Sequence, residues 1–120
     1  MARILIVDDD EADRVLMRAI LQNGNHEIFF AEDGVEALRI LGARQIQVVI
    51  TDLQMPRVHG LELISMIRDF EPRPAIIAIS GTGSPQLEMA NAIGAYWTVE
   101  KPVDAFALLD AVAEAAGSTG

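Results

Sequence analysis

Apolar residues gather into five short runs, at Arg3 to Val7, Glu27 to Ala31, Val48 to Asp52, Ala75 to Ser80 and Tyr96 to Glu100. Each has the length and continuity of a strand buried on both faces. Between the runs the apolar period becomes helical, which predicts five helices. The first starts near Asp10, where Asp13 three residues on resembles a capping box. It carries Ala12, Leu16 and Ile20 at four-residue spacing and stops at Gly24. Asp33 with Glu36 caps a second helix whose buried stripe is Val35, Leu38 and Leu41. A third runs from about Gly60 to Phe70 with Leu61, Ile64 and Ile67 inward, and ends before Pro72 and Pro74. Ser84 followed by Pro85 starts the fourth, which ends at Gly94. The fifth, from about Asp104 to Ala116, carries Phe106, Leu109 and Val112.

Strands alternating with helices through short loops imply an α/β fold, a mostly parallel sheet covered on both faces. Right-handed crossovers leave few topologies for it. There is no internal repeat, linker or low-complexity segment apart from a small polar tail, Gly117 to Gly120. A chain of 120 residues with 51% hydrophobic content supports one core, so residues 1–120 are expected to form one domain. Met17, Met66 and Met89 read as core filling, and His26 and His59 as surface residues without a partner at ligand spacing.

Charge narrows the function. The formal net charge is −9, which repels phosphate backbones and anionic membranes and disfavours both as direct partners. With no cysteine, disulfides and thiolate metal sites are excluded. No apolar run reaches the length of a signal-peptide core or a membrane span, so a cytoplasmic location is expected.

The chemistry lies where the apolar runs end. Asp8 and Asp9 close the first, Asp52 the third, Ser80 the fourth, and Lys101, followed by Pro102, the fifth. In a parallel sheet these positions share the carboxyl edge, where open α/β sheets bind ligands. Acids converging there raise one another's pKa unless a cation sits among them. Oxygen ligands without His or Cys favour Mg²⁺, which commonly works with a phosphate, and Lys101 supplies a positive charge for such a group. The set has the parts for phosphoryl transfer: a nucleophilic carboxylate, a metal and a cation. Taken singly, Asp8 and Asp9 also read as helix caps, Asp10 reads only as a cap, and Asp52 reads as turn chemistry with Met55 and Pro56.

The chain resembles the receiver domains of two-component response regulators over residues 1–117. The matching pieces are ILIVDDD at 4–10, DGVEAL at 33–38, VVITDLQMP at 48–56, GLELI at 60–64, IIAIS at 76–80, GA at 94–95 and KP at 101–102. Each is weak alone and specific in this order and spacing. The resemblance implies a doubly wound, flavodoxin-like sheet in the order 2-1-3-4-5. It also implies that Asp52 accepts a phosphoryl group from the phosphohistidine of a histidine kinase or phosphotransfer protein. Mg²⁺ would be held by Asp9 directly, Asp8 through water, Asp52 and the backbone carbonyl of Gln54. Ser80 and Lys101 would contact the phosphoryl group, and Gln54 and Thr82 would flank the path of the hydrolytic water. The output would be a changed face on the fourth and fifth helices and fifth strand, presented to a downstream protein, a linked output domain or, after phosphorylation, a second copy.

Some residues depart from the family pattern. Thr98 stands where an aromatic switch residue is common, Tyr96 and Trp97 where small acids are frequent, and His59 where Asp is frequent. Gly81 and Gly83 loosen the loop after Ser80. Trp97 has two readings, an anchor for a partner or a residue packed on the fourth helix. A switch domain rather than a turnover enzyme is expected. A haloacid-dehalogenase-like phosphatase would carry a second Asp two residues after the nucleophile, where Gln54 stands. A flavodoxin-like cofactor binder would need a Ser/Thr/Gly-rich loop after the first strand, where three aspartates stand. The last residue is Gly120, and no output domain is expected within residues 1–120. A stand-alone receiver and a piece of a larger regulator or hybrid kinase both fit that ending.

Overall fold

The computed structural model describes residues 2–54, 60–81 and 85–119. In chain order the elements are β1 Arg3–Val7, α1 Glu11–Leu21, β2 Glu27–Ala31, α2 Gly34–Ala43, β3 Val48–Asp52, α3 Gly60–Ile67, β4 Ala75–Gly81, α4 Pro85–Ile93, β5 Trp97–Lys101 and α5 Ala105–Thr119. The strands form one parallel sheet in the order β2-β1-β3-β4-β5. The resemblance implied that order. Strand bounds differ from the sequence reading by one residue at most: β4 runs on to Gly81, and β5 is shifted by one.

Alternate residues of each strand feed two cores. Leu5, Val7, Val49, Ile76 and Ala78 meet α2, α3 and α4 on one face. Ile4, Ile6, Val48, Ile50, Ile77, Ile79 and Val99 meet α1 and α5 on the other. All five residues of β3 are buried, whereas on the edge strand β5 only Val99 is.

The helices bury other faces than the largest side chains suggested. On α1 the buried residues are Met17 and Leu21, while Val15 and Leu16 are 59% and 45% exposed. The reason is polar: Asp13 and Arg14 turn toward the carboxyl edge of the sheet, and Met17 and Leu21 follow Asp13 at four-residue steps. On α5 the inward series is Leu108, Ala111, Val112 and Ala115, leaving Phe106 77% exposed and Leu109 partly outside. On α2 it is Gly34, Ala37 and Leu41, with Leu38 half-buried and Val35 exposed. Small residues on these faces let the helix axis approach the sheet. On α3, Leu63 joins Ile64 and Ile67 in the core, and the helix stops three residues earlier than expected. Met17 is core, whereas Met66 and Met89 are exposed. His26 is half-buried and accepts a hydrogen bond from the Ala2 N–H through Nδ1, 3.1 Å away. Ser84 and His59 lie outside the described residues.

Caps match the sequence more closely. The Asp10 carboxylate accepts from the Ala12 N–H and that of Asp33 from the Glu36 N–H. Asp13 takes no part in a capping box. Gly94, at φ +139°, ends α4, and the Ala95 N–H reaches back to the Ala90 carbonyl.

Gly60 positions the functional edge directly. A Cβ there would lie 2.4 Å from Leu53 Cα and 2.6 Å from the Asp52 carbonyl oxygen, both backbone atoms that cannot swing away. Gly60→Ala is expected to cost on the order of 2–4 kcal/mol in urea unfolding. Gly42→Ala, within α2 and with open space around the new methyl, is expected to stay within about 1 kcal/mol of the parent and on the stabilising side. Equal losses in the two variants would contradict the close approach of α3 to β3.

Candidate functional site

The carboxyl ends of β1, β3, β4 and β5 bring the sequence-predicted residues to one edge. Asp8 follows β1, and its N–H bonds the Ala31 carbonyl at 3.1 Å. Its side chain is fully buried. One carboxylate oxygen, Oδ1, accepts from the Asp10 N–H at 2.9 Å, and its carbonyl accepts from Arg14 Nη1 at 2.6 Å. Asp52 ends β3, also buried. Its Oδ1 accepts from the Gln54 N–H at 3.1 Å and its Oδ2 from Lys101 Nζ at 3.1 Å. Asp9 is exposed, yet one oxygen from each of Asp8, Asp9 and Asp52 falls within 4.8 Å of the others.

Lys101 reaches this group from the end of β5. Besides Asp52, Nζ donates to Asp13 Oδ2 at 2.9 Å and lies 3.6 Å from Asp8 Oδ2. The sequence reading placed Asp13 only in a cap. Its position in the first turn of α1, above the same edge as Asp9, was the available signal. Arg14 was missed as well. It clamps the Asp8 carbonyl and reaches Glu32 at 3.7 Å.

Burial and crowding strain the charges. The Asp8 carboxyl is pushed up to about 6, first by burial and then by the negative charge of Asp52. The Asp10 N–H and Lys101 pull the other way. Burial by itself would lower the Lys101 pKa, but hydrogen bonds to Asp13 and Asp52 outweigh it and hold the ammonium above its ordinary value. Two buried oxygens, Asp8 Oδ2 and Ser80 Oγ, have no hydrogen-bond partner among the described residues. A buried carboxylate oxygen of this kind, in a set of hard oxygen donors, fits a small divalent cation such as Mg²⁺.

A family model described as response regulator receiver domain matches residues 4–113. The chain belongs to the response regulator receiver domain family. Among curated relatives, it is 33% identical to the transcriptional regulatory protein GlrR of Escherichia coli over 95% of this chain and 26% of that protein. It is 35% identical to the autoinducer sensor kinase/phosphatase CqsS of Vibrio cholerae over 92% of this chain and 17% of that protein. Thus the chain spans about a quarter or less of the length of these relatives. The solved receiver domain of NtrX from Brucella abortus superimposes with a TM-score of 0.90 at 32% identity, covering 96% of this chain and 98% of that one. A receiver is the signalling-switch module of two-component systems, and the relatives include both regulators and sensor kinases.

Within this receiver, Asp8, Asp9, Asp52 and Lys101 converge, and Ser80 lies buried on the adjoining strand. Gln54 meets Asp52 through its N–H, and its side-chain amide donates to Gln86 Oε1 at the start of α4, 3.2 Å away. Thr98 is exposed. Trp97 stacks on Tyr96, with centroids 3.5 Å apart, and packs against the core on the α1/α5 side of the sheet. Thr82, Gly83 and His59 lie outside the described residues.

The Asp8 shift has a definite sign. The folded, metal-free receiver holds a proton on Asp8 more tightly than the unfolded chain does, so this group's contribution to stability falls as pH rises from about 3.8 to about 6. Asp8→Asn is expected to stabilise the metal-free receiver by on the order of 2–3 kcal/mol at pH 8, with the gain gone below about pH 4. Denaturant unfolding across pH measures this, and carboxyl ¹³C NMR is expected to show Asp8 titrating near 6. A gain independent of pH would reject the assignment.

Proposed function

We propose that this receiver is a phosphorylatable switch in which Asp52 accepts a phosphoryl group from the phosphohistidine of a histidine kinase or phosphotransfer protein. The observation that carries the reading is Lys101 Nζ bonded to Asp52 Oδ2, with Asp8 Oδ2, which accepts no hydrogen bond among the described residues, 3.6 Å from the same nitrogen. Asp8, Asp9 and Asp52, with the backbone carbonyl of Gln54, would hold Mg²⁺. When bound, the ion would supply positive charge to offset the carboxylates and the incoming phosphoryl oxygens.

An Asp52 carboxylate oxygen forms a bond to phosphorus as the P–N bond breaks. The electron pair leaves on the imidazole nitrogen, and the product is an acyl phosphate. Lys101 turns one of its N–H groups to the new oxygens, and the buried Ser80 hydroxyl donates to another. The single charge of the carboxylate becomes that of a phosphoryl group of about −2, roughly one further negative charge, and this redistributes these contacts toward β5 and α4. Gln54 offers no carboxyl group for acid/base turnover, so the chain works as a switch and not as a turnover phosphatase. Residues 1–120 act as one receiver unit. The strong negative charge disfavours nucleic acid and anionic membrane as direct partners, and among the described residues no helix is long and apolar enough to cross a membrane. The output passes to a downstream protein or a linked output domain, in the cytoplasm where a histidine kinase presents its phosphate.

Incubation with acetyl phosphate and Mg²⁺ is expected to add one phosphate by intact mass, reduced at least about a hundredfold in rate by Asp52→Asn. Undiminished modification of that variant would refute the assignment of Asp52. Calorimetric titration is expected to show weak Mg²⁺ binding, lowered about tenfold or more by Asp9→Asn and little changed by Lys101→Ala.

A further inference from the structure

A groove of about 840 Å³ runs along β5 between α4 and α5. Trp97, Val99 and Ala111 form its apolar floor, while Glu88 of α4 and Asp110 and Glu114 of α5 stand exposed along its sides. From Pro74 to Gly120 the chain has one basic residue, Lys101, against the five acids Glu88, Glu100, Asp104, Asp110 and Glu114. That one cation is turned away into the aspartate cluster. Among the described residues, the groove is therefore lined by carboxylates without a lysine or arginine.

From this charge pattern we infer that the groove docks a basic amphipathic segment of a partner protein, with apolar side chains on the floor and Lys or Arg against the sides. The inference rests on the switch reading only for the idea that a partner is engaged. The chemistry of that partner comes from the groove. Asp110 and Glu114 are four residues apart on one helix face, a like-charge pair that disfavours the free state and that a cationic partner would relieve. Trp97 in the floor is stacked on the exposed Tyr96, which gives it a large rigid area of the kind that anchors interfaces. A second copy of this receiver would bring the same carboxylates face to face, which costs affinity. A nucleic acid or anionic membrane is repelled from the groove for the same reason.

The probe is a short helical peptide of Leu and Lys, with a Leu and Glu peptide as its counterpart, titrated into the ¹⁵N-labelled full chain. The Lys peptide is expected to shift the Trp97 indole and the amides of Val99 and Ala111, with affinity falling as salt rises. The Glu peptide is expected not to bind. The triple variant Glu88→Gln, Asp110→Asn, Glu114→Gln is expected to weaken the Lys peptide by on the order of tenfold or more. A control with the same charge change elsewhere, Glu62→Gln, Asp69→Asn, Glu71→Gln, is expected to stay within about twofold. Equal losses in the two variants, or shifts spread over other faces, would overturn the inference. So would dimerisation through the groove, seen by sedimentation with the same shifts. Phosphate incorporation by intact mass is followed in parallel on both variants. Its failure would count against the switch reading, whereas lost peptide binding with normal incorporation would count against the groove alone.

Discussion

One ammonium among several carboxylates organises the functional edge of this protein. Lys101 bonds Asp13 and Asp52 and approaches Asp8, so three elements, β1, α1 and β3, are tied to the end of β5 through a single charge. At such spacing in a poorly solvated site, attraction and repulsion are both large. The Asp8 carboxyl is pushed up to about 6 first by burial, with the charge of Asp52 adding to it and the Asp10 N–H and Lys101 opposing. Among the described residues, the carboxylates of Asp8, Asp9, Asp13 and Asp52 gather around the Lys101 ammonium.

The fold makes the convergence unavoidable. β1 and β3 are paired neighbours, with Val7 opposite Thr51, so the residues that follow them must emerge side by side. Both strands are buried from each face, and hydrogen bonds continue past their ends: Asp8 N–H to Ala31 and Leu53 N–H to Ile79. The ladder therefore fixes the backbone of the acidic residues, while Arg14 and Gly60 hold the first turn and the returning helix close against it.

Much of this was legible in the sequence because period and strand-end chemistry are strong signals. The five strands, the Asp10 and Asp33 caps and the shared edge of Asp8, Asp9, Asp52 and Lys101 follow from where apolar runs stop, whereas the strand order that makes β1 and β3 neighbours came from the resemblance. Helix orientation was less legible. Choosing the larger side chains pointed to Leu16, Val35 and Phe106, but helices pressed on a sheet favour Ala37, Ala111 and Ala115, whose small size permits the approach. Asp13 was hidden for a different reason. Its local role as a cap candidate and its distant role beside Lys101 look identical in one dimension, and only the 88-residue separation of the pair decides between them.

The position of β5 in the sheet has a consequence for motion. β1 and β3 each have a strand on both sides, whereas β5 is paired on one side only and buries only Val99. Elements with few buried contacts open at lower free energy than the centre of a sheet. The carboxylates thus ride on the part of the molecule that resists displacement, and their counter-charge rides on the part that yields. A change in charge at the edge would be answered by travel of the lysine's strand and not of the aspartates' strands. In mechanical terms, the acids are the anvil and β5 is the spring.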